Sequence, residues 1–369
     1  MKFNVTSGAL VQSLSAVAGA VPAKATMPIL EMVLFESENG KLKLTATDLE
    51  VSIIEYVEAE IETEGAVAIP ARRLLDTLRQ LPDIPLFFEV DERYNVKFRT
   101  DKGTYKLAGE PGDEFPEMPS LVDALVISTD THIIKSAIQK TSFAVSTDDL
   151  RPAMMGVFFE IGTESSKIVA TDGHRLVKLV LNNLSAQRDS TFIVPDKALN
   201  LTLKSLDSEN CTLSITDDHV SFQSGNTMVV ARLIDETYPN YETVIPKDND
   251  KSLIVNRDQM LATVKRVSIF SSSTTKQIRL QLDQDQMTIS AEDIDMSSEA
   301  KESIECEYSF DPMDIGFNSR YLADVLGNVD DPEVLFEFST PNRAGIVKPS
   351  QQDEESEILM LVMPVMLNY

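Results

Sequence analysis

The sequence predicts an α+β protein made of three repeated, strand-rich domains, each with two helices. Recurrence is the first reason. TATDLEVSI (Thr45 to Ile53) returns as VATDGHRLV (Val169 to Val177) and, blurred, as ISAEDIDMS (Ile289 to Ser297). AIPARRLLDTL from Ala68 returns as FIVPDKALNLTL from Phe192 and as IGFNSRYLADVL from Ile315. Constant spacing is the second reason. Asp48 to Asp172 is 124 positions and Asp172 to Asp293 is 121, while Pro70 to Pro195 is 125 and Pro195 to Asn318 is 123. Phe115-Pro116, Tyr238-Pro239 and Met363-Pro364 lie 123 and then 125 apart. Such a period exceeds the roughly 20–50 residues of a solenoid repeat and has the size of a domain. Three periods account for all 369 residues and set the domains at 1–121, 122–246 and 247–369.

Within each repeat the elements can be placed in order. A first helix follows the first strand, at about 6–19, 130–142 and 256–269. Short alternating segments come next in the first repeat: KLKLTATD, VSIIEYVEAEIE, LFFEVD and VKFRTDKGTYKLAG read as half-buried strands with polar outer faces. CTLSITDDHVSFQSG, TMVVARLID, QIRLQLDQDQMTISAED and VLFEFST repeat that reading further on. Turn residues separate them at Asn39-Gly40, Asp101-Lys102-Gly103, Asp217-Asp218 and Ser224-Gly225. A second helix follows the Pro or Asn marker, at 71–80, 196–206 and 318–328. Arg72 and Arg79 stand seven apart on it, opposite Leu74, Leu75 and Leu78; Lys197 and Lys204 repeat the pair 125 residues on. Repeat three keeps Arg320 but has Gly327 at the second position. Linkers fall at Pro116 to Ala124 and Ile245 to Ser252, and an exposed acidic loop at Pro349 to Glu357.

Composition narrows the class. With 43% hydrophobic residues each repeat can bury a core, and no apolar run of about 18 residues is present to span a bilayer. Leu10, Leu14 and Val17 are spaced for an amphipathic helix, so the start is expected to belong to the first repeat and not to a secretory leader. Cys211 and Cys306 occupy unrelated places in their repeats, which fits a reduced cytosolic protein. The net charge of −26 argues by sign against nucleic acid. Its distribution reverses that inference: the six helical stretches hold eleven Lys or Arg and five acids, a balance of +6 that leaves −32 for the rest.

Asp172, His174 and Arg175 are the cluster closest to a catalytic centre, but a triad or metal reading needs further partners. The other histidines, His132 and His219, stand in no ligand spacing, and the equivalent positions are Leu49-Glu50-Val51 and Ile294-Asp295-Met296. A loop specialised to build a binding surface is the expected role. Walker A, GxGxxG and CxxC segments are missing, so no cofactor, metal or enzymatic activity is predicted. The closing ILMLVMPVMLNY suits either a buried terminal strand or an adaptable binding surface, with Met360, Met363 and Met366 concentrated there.

MKF, PILEMVLFE, TATDLEV, IPARRLLD, VATDGHRL, IVPDKAL, YPNYETVIP, IGFNSRYLADVL and VMPV, in that order over the whole chain, resemble the bacterial sliding clamps, the beta subunits of DNA polymerase III. The resemblance implies the DNA clamp fold: a head-to-tail homodimer forming a ring of six domains, with helices inside and sheets outside. It implies a non-catalytic, cytoplasmic processivity factor that encircles duplex DNA without sequence preference. Polymerase and 3′–5′ exonuclease chemistry would lie in other chains of the holoenzyme. Partners implied are the replicative polymerase alpha subunit, the clamp loader, and other polymerases and repair proteins carrying short clamp-binding peptides. Their cleft, between domains two and three, would comprise Met154, Thr171, Gly173, His174, Arg175, Leu176, Pro239, Val244, Leu361, Met363 and Pro364. DNA contacts would involve Lys24, Arg72, Arg79, Arg151, Lys197 and Lys204. The dimer contact would bring Tyr105 and Leu107 against Ile269 and Phe270, with Arg99 and Lys102 facing Glu299 and Glu302. Glu242-Thr243 stands where many relatives have a basic residue, and Pro152-Ala153 where relatives can carry aromatics. The alternatives are a three-domain interaction protein that does not encircle DNA, or an enzyme centred on Asp172 and His174.

Overall fold

The computed structural model describes residues 1–367 and packs them into two compact units. Residues 1–136 with 194–234 form the first, and 137–193 with the described residues from 235 onward form the second. The units cut across the sequence repeats because strands from neighbouring repeats share sheets. In the first unit, Val51–Val57 of repeat one pairs antiparallel with Thr227–Arg232 of repeat two, in the register Val51↔Ala231 to Thr227↔Glu55. In the second, Arg175–Leu181 of repeat two pairs with Ser356–Val362 of repeat three, from Arg175↔Val362 to Leu181↔Ser356. These joints produce a nine-stranded sheet in the first unit and an eight-stranded sheet in the second.

A five-stranded sheet in the first unit ends at Thr104–Ala108, and a four-stranded sheet in the second ends at Ser298–Glu305. Both are edge strands with one ladder unpaired. Both carry charge that discourages indiscriminate pairing: Lys106 on one, Glu299, Lys301 and Glu302 on the other. Stacked rings run through the five-stranded sheet toward its edge, Phe3 on Phe88 at 4.7 Å, Phe88 on Phe98 at 5.1 Å and Phe98 on Tyr105 at 4.7 Å.

The six helices fall where the spacing predicts. They are α1 (Ser7–Val17), α2 (Ala71–Leu78), α3 (Thr131–Ser142), α4 (Asp196–Ser205), α5 (Arg257–Ser268) and α6 (Ser319–Gly327). α2 buries Ala71, Leu74, Leu75 and Leu78, which leaves Arg72 and Arg79 exposed on its other side. α4 buries Ala198, Leu199 and Thr202 and exposes Lys197 and Lys204. Asn318 caps α6 by accepting from the backbone N–H of Arg320 at 3.0 Å and of Tyr321 at 3.4 Å. Cys211 and Cys306 are buried free thiols, pushed up by desolvation to about 11, so both behave as core residues. Among the described residues no helix is long and apolar enough to cross a membrane.

The terminal segment combines both roles expected of it. Met360, Leu361 and Val362 are buried in the last strand, whereas Met363 is 42% and Met366 80% exposed. Met360 is therefore core and not surface, because it faces inward opposite Val177. Asn368 and Tyr369, the end of that segment, lie outside the described residues.

Candidate functional site

The thrice-repeated aspartate is a turn device. Asp172 Oδ1 accepts from the N–H groups of His174 at 2.9 Å and Arg175 at 3.0 Å, closing the hairpin between Ser166–Thr171 and Arg175–Leu181. Asp48 Oδ1 does the same for Glu50 at 3.0 Å and Val51 at 2.8 Å, and Asp293 Oδ1 accepts from Met296 at 3.2 Å. A carboxylate that holds its own turn satisfies backbone donors locally. The second oxygen of Asp172 accepts from Arg175 Nε at 3.1 Å. Asp172 is thus occupied as a structural acceptor, which removes the basis for a triad centred on it.

Arg175 is 8% exposed and fully engaged. Its guanidinium donates to Asp172, to Asp324 at 2.6 Å and to the Phe143 carbonyl at 2.6 Å, and lies 4.9 Å from the centre of the Tyr321 ring. Thr171 Oγ1 donates to the Arg175 carbonyl at 2.7 Å and accepts from Gly173 N–H at 3.1 Å. Side chains so committed shape the turn from behind. Thr171 and Arg175 thus hold the turn in place through bonds within the chain. His174 is exposed and stacks on Tyr321 at 5.6 Å, and its carbonyl accepts from Met363 N–H at 2.8 Å.

That last bond brings the chain's terminal segment to the turn and opens a groove of about 470 Å³ in the second unit. Ten of the eleven residues expected in the cleft line it: Met154, Thr171, Gly173, His174, Arg175, Leu176, Pro239, Val244, Leu361 and Met363. Pro364 does not, because the chain turns away after Met363 to pair Val365 with Gly316. Leu176 and Leu361 form a buried floor directly opposite one another, and Val244 (53% exposed) and Met363 form the rim. Sequence reading missed a charged end built from Lys247, Asp248 and Arg343, where Arg343 pairs with Asp248. Position 343 lies in a turn between two strands, and no spacing signal ties it to residues 95 positions earlier. Tyr241 also lines the groove, anchored by donating to Glu160 at 3.0 Å.

The cations expected to meet DNA differ in how free they are. Lys24, Arg72, Arg79 and Lys204 are exposed side chains of the first unit. Lys197 is held by Asp48, and Arg151 by Asp148 at 2.9 Å and the Asp172 carbonyl at 3.0 Å. The residues expected in a dimer contact lie on or beside the two sheet edges. Ile269 is 79% and Phe270 40% exposed at the end of α5, a degree of exposure unusual for apolar side chains. Within the chain Arg99 pairs with Glu89 at 3.1 Å and Glu302 with Arg266 at 2.6 Å.

A triplicated α+β domain with an apolar groove defines a binding scaffold. Its three parts match the N-terminal, central and C-terminal domains of the DNA polymerase III beta subunit over residues 1–119, 128–240 and 242–365. The beta sliding clamp of Pseudomonas aeruginosa is 31% identical over 365 residues, 98% of this chain and 99% of that protein. A crystal structure of the P. aeruginosa clamp bound to griselimycin aligns over all of both chains with a TM-score of 0.93 at 30% identity. The Bacillus subtilis clamp gives 0.94 at 26% identity, again over all of both chains. The chain belongs to the DNA polymerase III beta subunit family, the beta sliding clamps, and is a non-catalytic subunit of DNA replication.

Proposed function

We propose that this chain works in the cytoplasm as a homodimeric ring of six domains, divided at 1–121, 122–246 and 247–369. The ring encircles duplex DNA and tethers proteins that carry short extended peptides. Those partners are the replicative polymerase alpha subunit, the clamp loader, and other polymerases and repair proteins. The observation that carries the reading is the groove of about 470 Å³ with its buried Leu176–Leu361 floor and Met363 at the rim. Burying one Leu and one Phe there supplies roughly 3–6 kcal/mol before ordering costs, which points to micromolar, exchangeable binding. Exchange is what partners sharing one site require, and docking raises a polymerase's effective concentration at the template.

Internal symmetry supplies a register for the dimer. At both internal joints the strand after the Asp turn pairs with the last strand of the following repeat: Ile53↔Val229 and Val177↔Met360. Ala300 occupies the place of Ile53 and Val177, since Ala46↔Ile53, Ala170↔Val177 and Ala291↔Ala300 are equivalent pairs. Tyr105 occupies the place of Val229, by Phe98↔Tyr105 and Phe222↔Val229. The third joint therefore pairs Ala300 with Tyr105 of the partner subunit. Glu299 then meets Lys106 of the partner subunit, and Glu302 lies near Lys102 of the partner subunit. Leu107, Ile269 and Phe270 flank the joint, and Arg99 and Glu302 exchange their internal ion pairs for contacts across it. Covering these two edges pairs the open ladders of Thr104–Ala108 and Ser298–Glu305.

DNA contact, through Lys24, Arg72, Arg79, Arg151, Lys197 and Lys204, is electrostatic and delocalised; it weakens with salt. Loading onto nicked circular DNA followed by linearisation tests the ring. Release on cutting supports encirclement, while retention on the linear product favours an ordinary binder.

A further inference from the structure

The groove has a counterpart in the first unit. Thr47, Leu49, Glu50, Ser52, Pro116 and Val230 line a cavity of about 160 Å³. They stand where Thr171, Gly173, His174, Leu176, Pro239 and Leu361 stand in the groove of about 470 Å³. The equivalence is structural, since Val230 pairs with Ser52 as Leu361 pairs with Leu176. The two turns share their hydrogen bonds: Thr47 Oγ1 accepts from Leu49 N–H at 3.0 Å, and Thr171 Oγ1 from Gly173 N–H at 3.1 Å. They share a backbone conformation too, with φ of 78° at Leu49 and 85° at Gly173.

A leucine in the left-handed region is a costly choice that glycine avoids. The first turn keeps a leucine there nonetheless, and that leucine lines the smaller cavity. The second turn has no side chain at that point. We infer that the residue at this position decides which of the two equivalent grooves is open to a peptide, and that Gly173 is the specificity-determining residue of the second. A further difference acts in the same sense. Ser52, bonded to Thr47 at 2.8 Å, gives the first cavity a polar floor where Leu176 gives the second an apolar one. Each protomer then offers one peptide site and a closed copy of it. This rests on the cleft being the peptide site.

The test titrates a fluorescein-labelled hexapeptide with Leu and Phe anchors into the full-length protein and its Gly173→Leu, Gly173→Asn and Gly173→Ala variants, with melting followed in parallel. Leucine already occupies this turn at position 49, and asparagine tolerates positive φ, so folded variants are expected. Leu and Asn should weaken binding at least tenfold and Ala distinctly less. Ala brings the same approach to Arg151, whose Nη1 would lie 2.8 Å from an added Cβ, without filling the groove. Binding within twofold of the parent by folded Leu or Asn variants overturns the inference. Equal loss in all three also overturns it, because backbone strain and not groove volume would then be decisive. A truncation lacking residues 363–369 separates the levels. If it binds as the parent does, the cleft assignment itself fails; if it loses binding while Gly173→Leu keeps it, only this inference fails.

Discussion

Asp172 and Arg175 show how a cluster that reads as catalytic can be structural. The carboxylate is surrounded by donors from its own turn, and the guanidinium reaches Asp324 and the Phe143 carbonyl. Arg175→Met removes the cation from a buried pair and leaves Asp172 and the Phe143 carbonyl short of donors. It should lower unfolding free energy by about 3 kcal/mol, read from urea denaturation, and weaken peptide binding through loss of the turn. Glu55 offers a pH test. Burial raises its carboxyl above the ordinary range, opposed by the hydrogen bond from Thr227. A raised folded value means the folded state holds the proton more tightly. Stability from Glu55 is therefore present at low pH and lost as pH rises through the folded value. Glu55→Gln keeps the acceptor without the charge. Its melting advantage over the parent should grow from the ordinary carboxylate range upward and then level off; an advantage that shrinks with pH contradicts this account. The sequence showed the Asp recurrence but not what each carboxylate accepts, since hydrogen-bond partners 149 residues away, such as Asp324 for Arg175, leave no local pattern.

Among elements, the helices were the most legible. Apolar positions at helical spacing decide which face is buried, and α2 and α4 turn their cations outward as that spacing predicts. α6 matters most to the site, because it carries Tyr321 and Asp324 beneath the Asp172 turn. Asn318→Ala removes the oxygen that satisfies two N–H groups at its start and should cost about 1 kcal/mol. The expected result is a lower melting midpoint and weaker peptide binding from the same substitution, although Asn318 itself does not line the groove. Strands were legible as alternation, yet their partners were not. VSIIEYV reads equally well as an edge or a central strand, and only the pairing with Thr227–Arg232 makes it central.

At the scale of the whole molecule, the sheet edges at Thr104–Ala108 and Ser298–Glu305 and the exposed Ile269-Phe270 pair lead to the dimer prediction. Ile269→Ala with Phe270→Ala should shift micromolar protein toward monomer in light scattering; a parent already monomeric under those conditions contradicts the ring. Replacing Arg72 and Lys197 with Glu should impair DNA loading and reduce the salt dependence of DNA contact, while one strongly preferred DNA sequence would contradict sliding. The sequence by itself determined the triplication, the α+β class, the helix faces and the segregation of charge. The triplication is written in residue types that recur 121 to 125 positions apart, and the rest in residue type and short-range period, where backbone geometry links neighbours directly. Tertiary structure alone decided that two Asp turns are seated on strands of the following repeat, and that Leu361 and Met363 meet Leu176 and His174. It also decided that Pro364 leaves the groove and that Arg343 closes one end of it. Those contacts join segments about 50 to 190 residues apart, and they follow from strand register and side-chain burial, which act through space and leave no period in the chain.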